Sequence, residues 1–163
     1  AGSAEATTLG DHSVDIITAA QAAHWFDREK ARREFVRILV PGGWTVLLWN
    51  ERDTDATPFL REYEQLLLNY GTDYREVRHE HTTDAIDTFF APSPFQSKVF
   101  HYSQELDADV LEGRLLSSSY TPQAEDASYE SMLRELRRIF DRHQRSGLVS
   151  FEYSTRVYYG RLE

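Results

Sequence analysis

Apolar residues change spacing repeatedly along the chain, from strand-like to helical and back. Val14 to Thr18 is short, apolar and β-branched, the pattern of a strand buried on both faces. Asp27 then offers a side-chain cap for a helix whose apolar positions are Ala31, Phe35, Ile38 and Leu39. Pro41-Gly42-Gly43 is expected to end that helix and turn the chain. Trp44 to Trp49 is a second apolar, β-branched and aromatic run. Strand, helix, strand over this length predicts a βαβ unit with parallel strands.

The next signals are as direct. Thr57-Pro58 is a helix start, a capping hydroxyl followed by proline in the first turn. Phe59, Leu60, Tyr63, Leu66 and Leu67 form its buried stripe, and Gly71 its stop. Thr72 to Ile86 is charged and aperiodic and reads as loop, and Phe89 to Pro94, with two prolines, as a turn. Phe95 to Tyr102 predicts a strand, Asp107 to Leu116 a short helix, and Ser128 to Ser146 a longer one ended by Gly147. Tyr129, Met132, Leu133, Leu136 and Phe140 share a face of that last helix. Phe151 to Tyr159 alternates apolar and polar residues and predicts a final strand. No internal repeat or linker interrupts the 163 residues, so one domain is expected over 1–163.

Composition narrows the classes. An aromatic content of 13% argues against disorder, because it supplies apolar area to offset chain entropy. With no cysteine there is no disulfide framework, thiolate metal site or cysteine nucleophile. A net charge of −9 disfavours nucleic acid and anionic membranes as partners. No apolar run approaches a bilayer span, and a cytoplasmic location is expected.

Chemistry concentrates after the first strand. In open parallel sheets, ligands bind outside the carboxyl ends of the strands, and Ala20, Gln21, Ala22, His24 and Trp25 stand there. Gln21 offers donor and acceptor, His24 a base near neutral pH, and Trp25 a flat wall. The competing structural reading packs Trp25 and Phe26 under the helix and leaves His24 partly exposed. His79-Glu80-His81 with Asp84 lacks a further ligand at diagnostic spacing, so no metal is assigned. The arginines of 134–145 alternate with Glu135 and Asp141 and read as an ion-paired helix face. Tyr63, Tyr70, Tyr120 and Tyr129 are core positions or the lining of an apolar pocket.

The tracts "AEAT", "SVDIITAAQAAHWF" and "PGGW", together with "FLREYEQLLLNYGTDY", "LEGRLLSSSYTP" and "FEYSTRVYYGRL", resemble class I S-adenosylmethionine-dependent methyltransferases of the type 11 group. The resemblance implies an α/β, Rossmann-like three-layer sandwich with helices on both faces of a mostly parallel sheet. The family's strand order is 3-2-1-4-5-7-6 with the seventh strand antiparallel, and the four predicted strands match its fourth to seventh. By resemblance Ala4, Glu5 and Ala6 lie beside the adenine, and Ala20, Gln21 and Trp25 beside the methionine part of S-adenosylmethionine, with His24 as candidate base. Helices within 57–147 would cover a small-molecule acceptor.

The family's glycine-rich first motif and the acidic residue ending its second strand should precede Ala4, where only Ala1-Gly2-Ser3 stand. The domain is therefore expected to be incomplete at its N-terminus, with Val14 to Thr18 as a sheet edge. Such an edge attracts another strand, from a missing N-terminal segment or a second copy of the chain. Two functions stay open: methyl transfer to a small molecule in the complete protein, or an inactive methyltransferase-like scaffold that dimerises through that edge. A different doubly wound enzyme with a nucleotide cofactor is a third, weaker reading.

Overall fold

A computed structural model describes residues 2–77 and 83–163. The elements run β1 (Val14–Ala20), α1 (Arg28–Ile38), β2 (Leu39–Arg52), α2 (Pro58–Tyr70), α3 (Tyr74–Val77), α4 (Thr83–Phe90), β3 (Phe95–Leu106), α5 (Ala108–Leu116), α6 (Tyr129–His143) and β4 (Val149–Gly160). A short 3-10 turn, Ala23–Trp25, links β1 to α1. The strands form a four-stranded sheet of order β1-β2-β4-β3, which is the 4-5-7-6 segment implied by the resemblance. The chain clusters into two compact units. One comprises 1–51, 80–100 and 155–163, the other 52–79 and 101–154.

β1 and β2 are parallel, with Ile16 opposite Trp44 and Ala20 opposite Leu48. β4 takes the place of the family's antiparallel seventh strand, between β2 and β3, so β1–β2 is the sheet's parallel pairing. Gln96 meets Tyr159, while His101 meets Ser154 and Tyr102 meets Tyr153, so β3 and β4 run antiparallel. Asp53 pairs with Glu152, and Asn50 meets Thr155, so β4 is antiparallel to β2 as well. The alternation of apolar and polar residues in β3 and β4 fits this arrangement, because antiparallel strands tolerate one solvated face. β3 departs from it: residues 96–105 are exposed on both faces, Val99, Phe100 and Tyr102 included.

In the first unit, Ala31 and Phe35 of α1 pack with Leu47 and Trp49 of β2 and with Ile86, Phe89 and Phe90 of α4. Asp27 caps α1 by accepting from the Lys30 N–H at 3.2 Å. The helix ends at Ile38, ahead of the Pro41-Gly42-Gly43 tract. That tract is not a free turn but a bulge within β2: Val14 faces Leu39, yet Ile16 already faces Trp44. Gly42 takes φ +80°, and a Cβ on Gly43 would lie 2.8 Å from the Leu39 side chain and 3.0 Å from the Asp15 carbonyl. The expected loop and turn over 72–94 instead contain α3 and α4. Ile86, Phe89 and Phe90 are spaced i, i+3, i+4 and are buried, and Pro92 and Pro94 simply follow the helix end. His79 to His81 lie outside the described residues.

In the second unit, α2 and α5 both pack against α6. Thr57 caps α2 through the Leu60 N–H at 3.1 Å, with Pro58 in the first turn. Phe59, Leu60, Tyr63, Leu66 and Leu67 meet Met132, Leu133, Leu136 and Phe140, together with Leu111, Leu115, Phe151 and Tyr153. α6 ends at His143, so Gly147 (φ +81°) lies in the following turn and does not cap the helix. Each unit thus holds its own apolar core.

Candidate functional site

Because β1 and β2 are parallel, their carboxyl ends emerge side by side, and the first unit builds a rim there. Gln21 leaves β1 in the left-handed region, φ 53°. Its backbone N–H donates to the Leu48 carbonyl at 3.0 Å, and its side-chain amide donates to the Asn50 carbonyl at 2.8 Å. Left-handed backbone costs a non-glycine residue about 1–2 kcal/mol. The two bonds to β2 offset that cost and hold Gln21 across both strand ends. Its amide oxygen accepts no bond from the described residues.

Trp25 is 74% exposed and does not pack under α1. Phe26 does, edge-on to Phe35 at 6.0 Å between ring centroids. His24 is half-buried, its ring 4.8 Å from that of Trp25. At the other strand end, Thr155 donates to the Asn50 side chain at 3.2 Å, and Arg156 pairs with Glu51 at 2.7 Å.

The N-terminal segment joins this rim through one bond. The Glu5 carboxylate accepts from the Asp27 N–H at 3.0 Å, two residues past Trp25. Bonds from Ser3 and from backbone N–H groups hold the Glu5 carboxyl below its ordinary range. Ala4 packs against the first unit's core, and Ala6 bridges back to Ser3. Further along, α1 grips the segment. Glu34 accepts from the Thr7 N–H at 2.8 Å and the Thr7 hydroxyl at 2.5 Å, and Arg37 pairs with Asp11 at 2.6 Å. Hydrogen bonds from Arg37 and Thr7 hold the Glu34 carboxyl down at about 2. The structure therefore brings Ala4, Glu5 and Ala6 into the same unit as Ala20, Gln21, His24 and Trp25.

A second group of residues lies in the second unit; sequence patterns weighed Tyr63 and Tyr120 of it but not Glu64, Tyr74 or Arg114. Arg52 ends β2 with its side chain only 16% exposed. It pairs with Glu64 at 2.5 Å and donates to the Tyr74 hydroxyl at 2.9 Å, and that hydroxyl donates to Glu64 at 2.7 Å. Burial works against the Arg52 charge, but Tyr74, Tyr63 and Glu64 outweigh it and raise its pKa. Burial pushes the Tyr74 hydroxyl up to about 12, so it stays a donor at neutral pH. Arg52, Tyr63, Arg114, Ser117 and Tyr120 line an open cavity of about 510 Å³. Of the four tyrosines weighed from sequence, Tyr63 is both core and cavity wall, and Tyr120 lines the cavity. Tyr70 and Tyr129 only pack against the core. Among the described residues no group of three or more His, Cys, Asp and Glu is placed to hold a metal, and no helix is long and apolar enough to cross a membrane.

A methyltransferase-domain family model (type 11) matches residues 1–47. An uncharacterized methyltransferase-like protein of Schizosaccharomyces pombe is 44% identical over 73 residues, 45% of this chain and 28% of that protein. An uncharacterized methyltransferase of Mycobacterium tuberculosis is 34% identical over 122 residues, 73% of this chain and 45% of that protein. The chain thus spans less than half the length of these curated relatives. A solved structure from Anaeromyxobacter dehalogenans, described as a candidate type II methyltransferase, superposes with a TM-score of 0.63 at 20% identity, covering 97% of this chain and 68% of that one. At that identity the likeness speaks for the fold. The matched domain includes β1, the 3-10 turn and α1, the first of the tracts on which the sequence resemblance rests, and the strand order agrees with it. Residues 1–47 thus match the type 11 methyltransferase domain, and the chain is similar to curated methyltransferases over up to 73% of its length.

Proposed function

We propose that the protein transfers a methyl group from S-adenosylmethionine to a small-molecule acceptor, at the rim formed by the carboxyl ends of β1 and β2. Gln21 carries this reading. A strained, non-glycine residue held across two parallel strand ends, with an unspent amide oxygen, is a built ligand contact. The exposed Trp25 ring suits a wall against an apolar or cationic ligand group. These residues fit the cofactor, with Ala4, Glu5 and Ala6 on its adenine side and Ala20, Gln21 and Trp25 on its methionine side. The bound cofactor supplies an electrophilic methyl on a good leaving group. The chain's part is to orient the acceptor, exclude water and, with His24 as base, remove an acceptor proton.

Calorimetry of S-adenosylmethionine on the intact protein tests this. One hydrogen bond is worth about 0.5–1.5 kcal/mol, so Gln21→Ala is expected to weaken binding about two- to tenfold. Unchanged affinity would remove Gln21 from the site. His24→Gln is expected to lower turnover and flatten the acid limb of the pH profile.

One observation favours a second reading. β1 is the edge of the sheet, and Ile16 on it is 55% exposed. An apolar edge with unpaired backbone groups is a pairing site. In this reading Val14 to Thr18 is covered by another strand, from elsewhere in the same protein or from a second copy, and the fold serves as a scaffold. Mass in solution of wild type and Ile16→Lys decides the dimer form. A monomer in both cases excludes it.

A further inference from the structure

We infer that the cavity of the second unit binds a small molecule carrying an anionic oxygen group, a carboxylate or a phosphate.

The two guanidinium groups of the cavity carry it. Arg114 donates to the Tyr153 hydroxyl and, at 2.7 Å, to the Gln104 side chain, both neutral groups. Its guanidinium carbon lies 5.3 Å from the Phe151 ring centre and 5.6 Å from that of Tyr153. Among the described residues no carboxylate pairs with it. A guanidinium has more N–H groups than those two bonds use. Arg52 spends Nη2 on Glu64 and Tyr74 and brings a second positive charge to the cavity lining. Guanidinium groups that keep free donors favour carboxylate and phosphate, which accept in pairs.

The setting sharpens the preference. The chain carries −9 overall, so a cavity with two arginines and one compensating carboxylate is a local reversal of sign. Tyr63 lies under Arg52, 5.0 Å from its guanidinium carbon, and Tyr120 stacks obliquely on Tyr74 at 4.9 Å. These rings fix the guanidinium planes and leave flat walls for an apolar body. A cavity of this volume accepts a metabolite-sized ligand. The overall acidity, which on sequence grounds disfavoured nucleic acid and anionic membranes, excludes bulk attraction but not this local site.

The experiment is binding to the intact protein. Succinate and inorganic phosphate are titrated calorimetrically against wild type and Arg114→Gln, with succinamide as the neutral control. Saturable binding of succinate or of phosphate, weakened about tenfold or more in Arg114→Gln, supports the site and says which oxygen group it prefers. Equal binding in wild type and variant, equal binding of succinamide, or no binding of either anion overturns it.

Discussion

Replacing Glu64 by leucine tests how the second unit keeps its arginine pair ready. Glu64 is 9% exposed and Arg52 16% exposed at the side chain, and their contact is 2.5 Å. Removing one partner of a buried pair typically costs about 3–5 kcal/mol, because the remaining charge is left desolvated. Arg52 borders an open cavity, so water can partly resolvate it, and about 2–3 kcal/mol is expected for Glu64→Leu. For a chain of this size that lowers the melting temperature by about 5–10 °C. Arg52→Met should cost a similar amount, because it strands Glu64. The double variant Arg52→Met/Glu64→Leu should return to within about 1 kcal/mol of wild type, since apolar side chains of similar volume replace buried pairs at little cost. Urea titration and thermal melts of all four proteins give the cycle. Additive single losses, with the double variant the least stable, would refute the coupling. The double variant also separates stability from function: it should fold as well as wild type yet bind succinate or phosphate more weakly.

Three further outcomes are expected. Glu34 has its pKa lowered from 4.5 to about 2 in the folded chain. The stability it lends is therefore present above its unfolded value and lost as pH falls from about 4.5 toward 2. Acid titration monitored by exchange of the Thr7 amide should show the segment loosening over that window, and Glu34→Gln should remove the dependence. Thr57→Ala deletes the α2 cap and should cost about 1 kcal/mol in denaturant unfolding, whereas Thr57→Asn should be nearly neutral. Trp25→Ala, at a largely exposed position, should leave stability within about 0.5 kcal/mol and weaken S-adenosylmethionine binding; an unchanged affinity would mark Trp25 as surface only.

Much of the fold was legible because it is written locally. Asp27, Thr57 and Asp107 each cap the helix they precede, and Gly71 stands where α2 ends. What escaped was local structure hidden by competing signals and contacts between distant residues. The prolines after Phe90 masked the Ile86, Phe89, Phe90 stripe of α4. Pro41-Gly42-Gly43 carries the composition of a turn, but β1 lies alongside it and converts it to a bulge. The antiparallel β4 is where the resemblance puts the family's seventh strand, between β2 and β3. For the candidate site, strand-end position pointed to Gln21, while its left-handed backbone left no mark in the sequence. The second-unit arginines had no such signal. Arg52 meets Tyr74 across 22 residues and Arg114 meets Tyr153 across 39, separations that no helical or strand period records.

The most direct test of the cofactor claim is equilibrium dialysis of labelled S-adenosylmethionine against the intact protein, with Gln21→Ala and Arg114→Gln alongside. Saturable binding, weakened by Gln21→Ala and unchanged by Arg114→Gln, is the predicted result. No saturable binding to the intact protein, or binding indifferent to Gln21, would contradict a cofactor site at the ends of β1 and β2.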